Sequence, residues 1–145
     1  MLRDLPRVLE QDLVHPVSQG SMGFALPAII GAHSTGKKDI ISVIGDGSIM
    51  MNLQELQTIK DYKIPAKIFV INNKMYGIIR RRQKELFRGR TIGTDDTNGL
   101  GCPDFKKIAK AFGIKYEVHK EAFKILEAYY QPGEFNEGRQ KMAWM

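Results

Sequence analysis

The sequence holds a single cysteine, Cys102, among 145 residues. One thiol cannot build an internal disulfide framework, and its rarity fits a reducing, cytoplasmic setting. No base stands near it in sequence, so it reads as an inert thiol. Long hydrophobic runs are also missing. Nothing approaches the roughly 18–20 apolar residues of a membrane span, and the opening MLRDLPRVLE has no apolar signal core. Neither an internal repeat nor a low-complexity segment is present. The three histidines, His15, His33 and His119, stand apart, and no pair has metal-ligand spacing. The lone tryptophan, Trp144, sits in a Met-rich end that reads as a frayed tail. The length is that of one domain, without room for a second full core. Hydrophobic residues make up 43% and charged residues 26% of the chain, which places it among ordinary globular proteins.

Acidic residues are scarce in one place. The 22 basic and 16 acidic side chains leave a net charge of +6. Arg80 to Arg90, RRRQKELFRGR, holds six basic residues and one acid. Most of the excess is therefore local. Such a run reads as a solvated loop or helix face. A second reading is a contact with an anionic substrate or an acidic neighbouring subunit. Nucleic-acid binding is the least favoured, because Phe87 is the run's one aromatic and no stacking platform is interleaved.

The order of elements points to an α/β fold with a parallel sheet and flanking helices. Residues 1–17 have little periodicity and form an atypical leader. Gly20 to Gly23 reads as a turn, followed by a helix through Ala32 that carries Pro27 near its first turns. DIISVI at 39–44 and KIFVI at 67–71 read as strands buried on both faces. Between them, Leu53, Leu56, Ile59 and Tyr62 follow a helical step. Asn52 and Glu55 resemble a capping pair, with Ser48 as an alternative start. A long polar connection then runs to Pro103. Asp104 caps a helix over Phe105–Phe112 that Gly113 stops, and Ile114–Val118 is a third strand. Residues 119–145 read as a helix over Glu121–Tyr130 and an unpatterned polar tail. Three short strands are few for such a sheet. The strand expected before the glycine turn and the last strand expected after Tyr130 are not evident, so the domain reads as incomplete at both ends.

In open parallel sheets, ligands bind at the carboxyl ends of strands. Two such ends are polar here. The first is Gly45-Asp46-Gly47-Ser48. Its glycines admit close backbone approach, and the following helix start offers free N–H groups suited to phosphate. Asp46 would repel a phosphate unless a divalent cation joined them, which is the usual magnesium arrangement. The second end is Asn72-Asn73, where an amide oxygen can ligate magnesium without adding charge. Each element alone reads more readily as a turn, and the two together shift the balance toward a site. Twenty-four residues separate Gly47 from Asn72, enough for one helix and one strand.

GDGS followed at this distance by NN resembles the diphosphate-binding signature of thiamine diphosphate enzymes. GSMGFALPAIIGA at 20–32, GDGSIMMNLQELQT at 45–58 and VINNKMYGII at 70–79 look like acetolactate synthase and its relatives. PDFKKIAKAFGI at 103–114 is similar more loosely. The resemblance implies that residues 18–118 bind thiamine diphosphate and Mg2+. It implies Asp46, the Asn73 amide oxygen and the Met75 carbonyl as metal ligands. It implies that Gly47 and Ser48 donate to the diphosphate, that Gly45 shapes the turn and that Gly77 and Ile78 lie where the family's loop touches the diphosphate, with Tyr76 also cofactor-binding. Gly20, Ser21 and Met22 fall to the ring side, with the Gly20 carbonyl on the aminopyrimidine and Met22 beneath the cofactor. Core packing is the plainer reading of Met22.

The resemblance further implies a 2-oxo acid substrate, decarboxylated or condensed with a second carbonyl. The family's glutamate that activates the aminopyrimidine lies in a separate pyrimidine-binding domain, usually on a neighbouring subunit. No counterpart is found in this chain, and Glu55 is in the wrong motif. No catalytic residue is therefore assigned. The expectation is an oligomer-forming diphosphate-binding domain, inactive alone and without nucleic-acid or membrane partners. The alternative is a non-catalytic fragment or interaction module that retains the fold.

Overall fold

A computed structural model describes residues 12–16, 18–119 and 141–144. The expected helix over Glu121–Tyr130 and most of the 1–17 leader lie outside these residues. Helix α1 spans Ala25–Ser34, with Pro27 in its first turn, where its missing N–H costs nothing. Gly36, at φ +86°, lets the chain turn away after it. Strand β1, Ile40–Gly45, leads directly into a short helix α2, Asp46–Ile49. A 3-10 turn over Met50–Asn52 connects to α3, Glu55–Asp61. Leu53 and Gln54 between them keep right-handed helical angles, so helical backbone runs from Asp46 onward.

The helix therefore starts at the strand end, close to Ser48, and the Asn52–Glu55 cap does not form. The Asn52 amide instead donates to the Gly23 carbonyl at 3.1 Å, and Glu55 accepts from the Thr58 hydroxyl at 3.2 Å. A spacing of three also arises when a polar residue faces a distant partner, which sequence cannot distinguish from a cap.

Strand β2, Ala66–Asn72, pairs in parallel with β1, Ser42 opposite Ile68 and Ile44 opposite Val70. Helix α4 covers Gly77–Leu86, α5 Phe105–Ala111, and β3 Glu117–His119. Asp104 caps α5 as its sequence indicates, its carboxylate accepting from the amides of Lys106 at 2.9 Å and Lys107 at 3.3 Å. Strand β4, Lys141–Trp144, lies between β2 and β3 and runs antiparallel to both. The sheet order is β1-β2-β4-β3.

The expected α/β architecture with parallel pairing is present in β1–β2, and β4 adds antiparallel pairs that make the sheet mixed. One expectation is corrected, because this strand occupies the tail read as patternless. Four residues carry too little alternation to declare a strand, and the pairing comes from neighbours on both edges.

The core gathers Leu26 and Ile29 of α1, Ile44, Ile49, Leu56, Ile59, Ile64, Ile68, Val70, Phe105 and Ala109. It lies on the sheet face that bears Ser42, Ile44, Ile68 and Val70. Ile41 on the other face is 68% exposed, and Val43 and Phe69 are half-buried. Burial on both faces is thus met on one face only among the described residues. Among them, no helix is long and apolar enough to cross a membrane.

Candidate cofactor site at the strand ends

The carboxyl ends of β1 and β2 bring the two polar sequences together. At Gly45 the backbone is extended, and at Asp46 it turns into α2. This abrupt change drops the Asp46 side chain inward, where it is 5% exposed. One carboxylate oxygen accepts from the Gly47 amide at 2.8 Å and the other from the Lys74 amide at 2.5 Å. The second bond ties the end of β1 to the turn after β2. Lys74 itself adopts φ +57°, an uncommon conformation for a residue with a side chain. Next to it, the Asn73 amide oxygen accepts from the Met75 amide at 3.1 Å. A carbonyl oxygen has a second lone pair and can still serve a metal.

Gly47 has a specific reason to be glycine. A methyl group added there would meet the Tyr76 ring at 1.8 Å, well inside contact distance. The edge of the ring stands against the backbone that leads into α2. Tyr76 and Gly47 are thus packed together. Gly45 has no such crowding, its nearest neighbour being Ser48 Cβ at 4.0 Å.

The glycine turn joins from the other side. The Gly23 amide donates to Ser48 Oγ at 2.9 Å, while Asn52 holds the Gly23 carbonyl. Gly23 adopts φ +80°, and a Cβ there would strike Asn52 and Met51 at 2.8 Å. Gly20 also has positive φ, at +57°. Ser21 is exposed and Met22 is 42% exposed, so core packing does not account for Met22. Ser48 uses its oxygen to clasp the turn, leaving its hydroxyl proton available. Gly77 and Ile78 open α4 at the site's edge, with Ile78 73% exposed.

Two groups here escaped sequence reasoning. The first is Cys102. Its thiol donates toward Asn72 Oδ1 at 3.3 Å and lies 3.8 Å from an Asp46 carboxylate oxygen. Burial, reinforced by the Asp46 charge, pushes the thiol pKa up. The shift favours the protonated thiol, the form that donates. The second is the loop over 91–98. Tyr76 donates its amide to the Thr94 carbonyl at 2.8 Å, and Met75 forms a bridge with Asp95. Asp95 in turn pairs with Arg80 of α4 at 3.1 Å. The only local signal in sequence is the turn-rich TDDTNG.

The basic run is largely helical. Arg81 and Arg82 pair with Glu85 at 3.1 and 3.2 Å on the solvated face of α4. Arg80 is the exception, turned toward Asp95.

The donor chemistry can be tested on Asp46. Burial raises its pKa, with the amides of Gly47 and Lys74 opposing the shift. Among the described residues no basic side chain forms an ion pair with it. A buried carboxylate held by neutral donors gains most from a cation. No cluster of three or more His, Cys, Asp or Glu is found among the described residues. The donors are instead one carboxylate, one amide oxygen and backbone carbonyls. Such hard oxygen donors suit Mg2+ completed by phosphate oxygens and water.

Residues 5–134 match the family model described as thiamine pyrophosphate enzyme, C-terminal TPP binding domain. The chain belongs to this family. Among its relatives, the acetolactate synthase large subunit of Pyropia yezoensis is 45% identical over 97 residues, covering 66% of this chain and 16% of the relative. Acetolactate synthase isozyme 2 large subunit of Escherichia coli (strain K12) is 43% identical over 96 residues, covering 66% and 17%. A solved structure, the thiamine diphosphate-dependent 4-hydroxybenzoylformate decarboxylase of Rhodococcus jostii RHA1, superposes with a TM-score of 0.55. It is 38% identical and covers 65% of this chain and 17% of that one. The TPP-binding domain described here thus spans about one sixth of its relatives' length. Its cofactor class is thiamine pyrophosphate.

Proposed function

We propose that this TPP-binding domain works within an acetolactate synthase-like enzyme that acts on 2-oxo acids. In this reading it holds Mg2+ and the diphosphate, and a pyrimidine-binding domain on a partner subunit completes the site in an oligomer. The observation that carries the reading is Asp46. It is a buried carboxylate that no basic side chain among the described residues pairs with, tied by hydrogen bond to the turn that bears Asn73 and Met75.

The Asp46 carboxylate, Asn73 Oδ1 and the Met75 carbonyl hold the metal. The amides at the start of α2 and the Ser48 hydroxyl donate to the diphosphate, and Gly77 and Ile78 line its outer side. Tyr76, packed on Gly47, shields this end of the sheet from water. Met22, exposed on the glycine turn, supports the rings, and Gly20 offers its carbonyl to the aminopyrimidine. When bound, thiamine diphosphate supplies the electron sink for decarboxylation or carboligation. Glu55 bonds to Thr58 within α3, and in this reading the partner domain activates the aminopyrimidine.

Calorimetric titration of the isolated chain with Mg2+ and thiamine diphosphate tests the dependence on a partner. The expected result is weak or no binding, and submicromolar affinity would overturn it. Pyruvate turnover is expected only after a pyrimidine-binding partner is added. Turnover by the isolated chain would contradict the reading. No turnover with any partner recovered from native extract would leave a non-catalytic module.

A further inference from the structure

The polar loop between α4 and α5 is built too tightly for a mere connection. Thr94 is fully buried and Asp95 is 5% exposed, although neither belongs to the apolar core. Asn98 organises both. Its side-chain oxygen accepts from the Thr94 amide at 2.6 Å and the Asp95 amide at 3.0 Å. Its side-chain nitrogen donates to Thr91 Oγ1 at 3.1 Å and Thr94 Oγ1 at 3.0 Å. Its backbone closes the loop again, accepting from Gly93 at 2.7 Å and donating to Asp95 at 3.1 Å. Nearly all the hydrogen-bonding capacity of this asparagine is thus spent inside the loop.

The loop is anchored to its surroundings at two further places. Gln83 of α4 grips the Ile92 backbone from both sides, accepting from its amide at 2.8 Å and donating to its carbonyl at 3.1 Å. Arg80 of α4 pairs with Asp95. What this frame presents outward is the Thr94 carbonyl and the Asp95 backbone. These are the groups that hold Tyr76 and Met75. No residue of α4 is buried, so the helix gives the turn that precedes it no buried apolar anchor. Hydrogen bonds hold that turn, to Asp46 on one side and to the polar frame on the other.

We propose that Asn98 is a positioning residue for the metal and diphosphate site. Through Thr94 and Asp95 it sets the conformation of Met75 and Tyr76. It thereby fixes the Met75 carbonyl, and it holds the Tyr76 ring against Gly47. The metal part of this inference rests on the reading of Asp46, Asn73 and Met75 given above. The conformational part does not.

Two measurements on the full chain separate those parts. The first is amide hydrogen exchange in the metal-free chain, comparing wild type, Asn98→Ala and Asn98→Asp. In Asn98→Ala the Tyr76 amide is expected to lose about 100-fold of its protection, while the β1 and β2 amides stay within about threefold. Asn98→Asp keeps an oxygen for the Thr94 and Asp95 amides and is expected to restore the loss to about tenfold. Unchanged Tyr76 protection in Asn98→Ala overturns the proposal. So does a loss spread equally over the core strands, which would mark general destabilisation.

The second measurement titrates the same chains with Mn2+ alone into the millimolar range, where weak binding is still read by electron paramagnetic resonance, with Asp46→Asn as reference. No binding by wild type overturns the metal part. Affinity is expected to fall about tenfold or more in Asn98→Ala and to recover partly in Asn98→Asp. Equal Mn2+ affinity in wild type and Asn98→Ala, with Asp46→Asn weaker than both, overturns the metal part. If Asp46→Asn matches wild type, the metal reading of Asp46 fails. The exchange data then decide the frame by themselves.

Discussion

Asp46 and Asp95 are equally buried, each 5% exposed, and both touch the short turn from Asn73 to Tyr76. Their surroundings differ in kind. Asp46 sits at the end of a strand over an apolar core. Its partners are two amides and a thiol, and burial raises its pKa. Asp95 sits in a polar frame. The Thr97 hydroxyl and amide, together with the Arg80 charge, hold its pKa below the usual carboxylate range. Among the described residues, Asp46 has no cationic partner and Asp95 has one in Arg80. The first is the kind of group that recruits a metal, and the second holds a loop in place. The two regions are stabilised accordingly. The strand–helix–strand side depends on buried isoleucines and leucines, and the α4–loop side on side chains bonded to backbone.

The largest test of that division is a truncation in each region. Leu56, a fully buried residue of α3, should cost about 2–5 kcal/mol as Leu56→Ala. Leu86 at the end of α4 is 70% exposed, and Leu86→Ala should stay within about 0.5 kcal/mol. Urea unfolding midpoints would read both, and comparable costs would erase the distinction.

The contact between the regions comes next. Gly47→Ala forces the Tyr76 ring away and should cost about 1–3 kcal/mol by overpacking. Gly45→Ala, with open space around it, should cost under about 1 kcal/mol on the same assay. Tyr76 fluorescence or aromatic NMR shifts should move in the first variant and hold in the second.

Acid titration sharpens the comparison further, because the two carboxylates should act with opposite sign in the metal-free chain. Asp95, lowered by folding, stabilises above its ordinary value of 3.8, and this contribution is lost as pH falls through the lowered folded value. The advantage of wild type over Asp95→Asn should therefore shrink on acidification. Asp46, raised by folding, costs stability once ionised. That cost is absent below 3.8 and grows as pH rises to the raised folded value. Relative to Asp46→Asn, wild type should gain on acidification. Denaturant midpoints collected from about pH 3 to 6 would show whether the slopes diverge. Parallel slopes would mean that the two environments are equivalent.

The smallest effect belongs to the exposed face of α4. Glu85 pairs with Arg81 and Arg82 in solvent, so Glu85→Gln should change stability by less than about 1 kcal/mol. That difference should fade with added salt, as thermal melts at low and high ionic strength would show.

The legibility of the molecule follows the same division. The Asp104 cap, the Gly113 stop and the abrupt ends of β1 and β2 are local events, and the residues that cause them are neighbours in sequence. GDGS and NN could be read as ligand-binding strand ends for that reason. Asn52 was misleading because its partner, Gly23, lies 29 residues away. Cys102 was invisible as a site neighbour because 56 residues separate it from Asp46. Thr94, Asp95 and Asn98 looked like solvated turn residues, since nothing in their composition announces burial. The short β4 strand is defined by two partners and not by its own four residues.

By itself, the sequence determined which backbone turns occur, where strands stop, and which oxygen donors stand at each stop. Those are consequences of φ preference, missing Cβ atoms and side-chain length within a few residues. The tertiary structure decided which donors meet and which carboxylate has a cationic partner. It also decided that a polar loop, and not the apolar core, fixes Met75 and Tyr76. Burial and pairing are properties of space, and a carboxylate acquires its charge environment only when the chain closes around it.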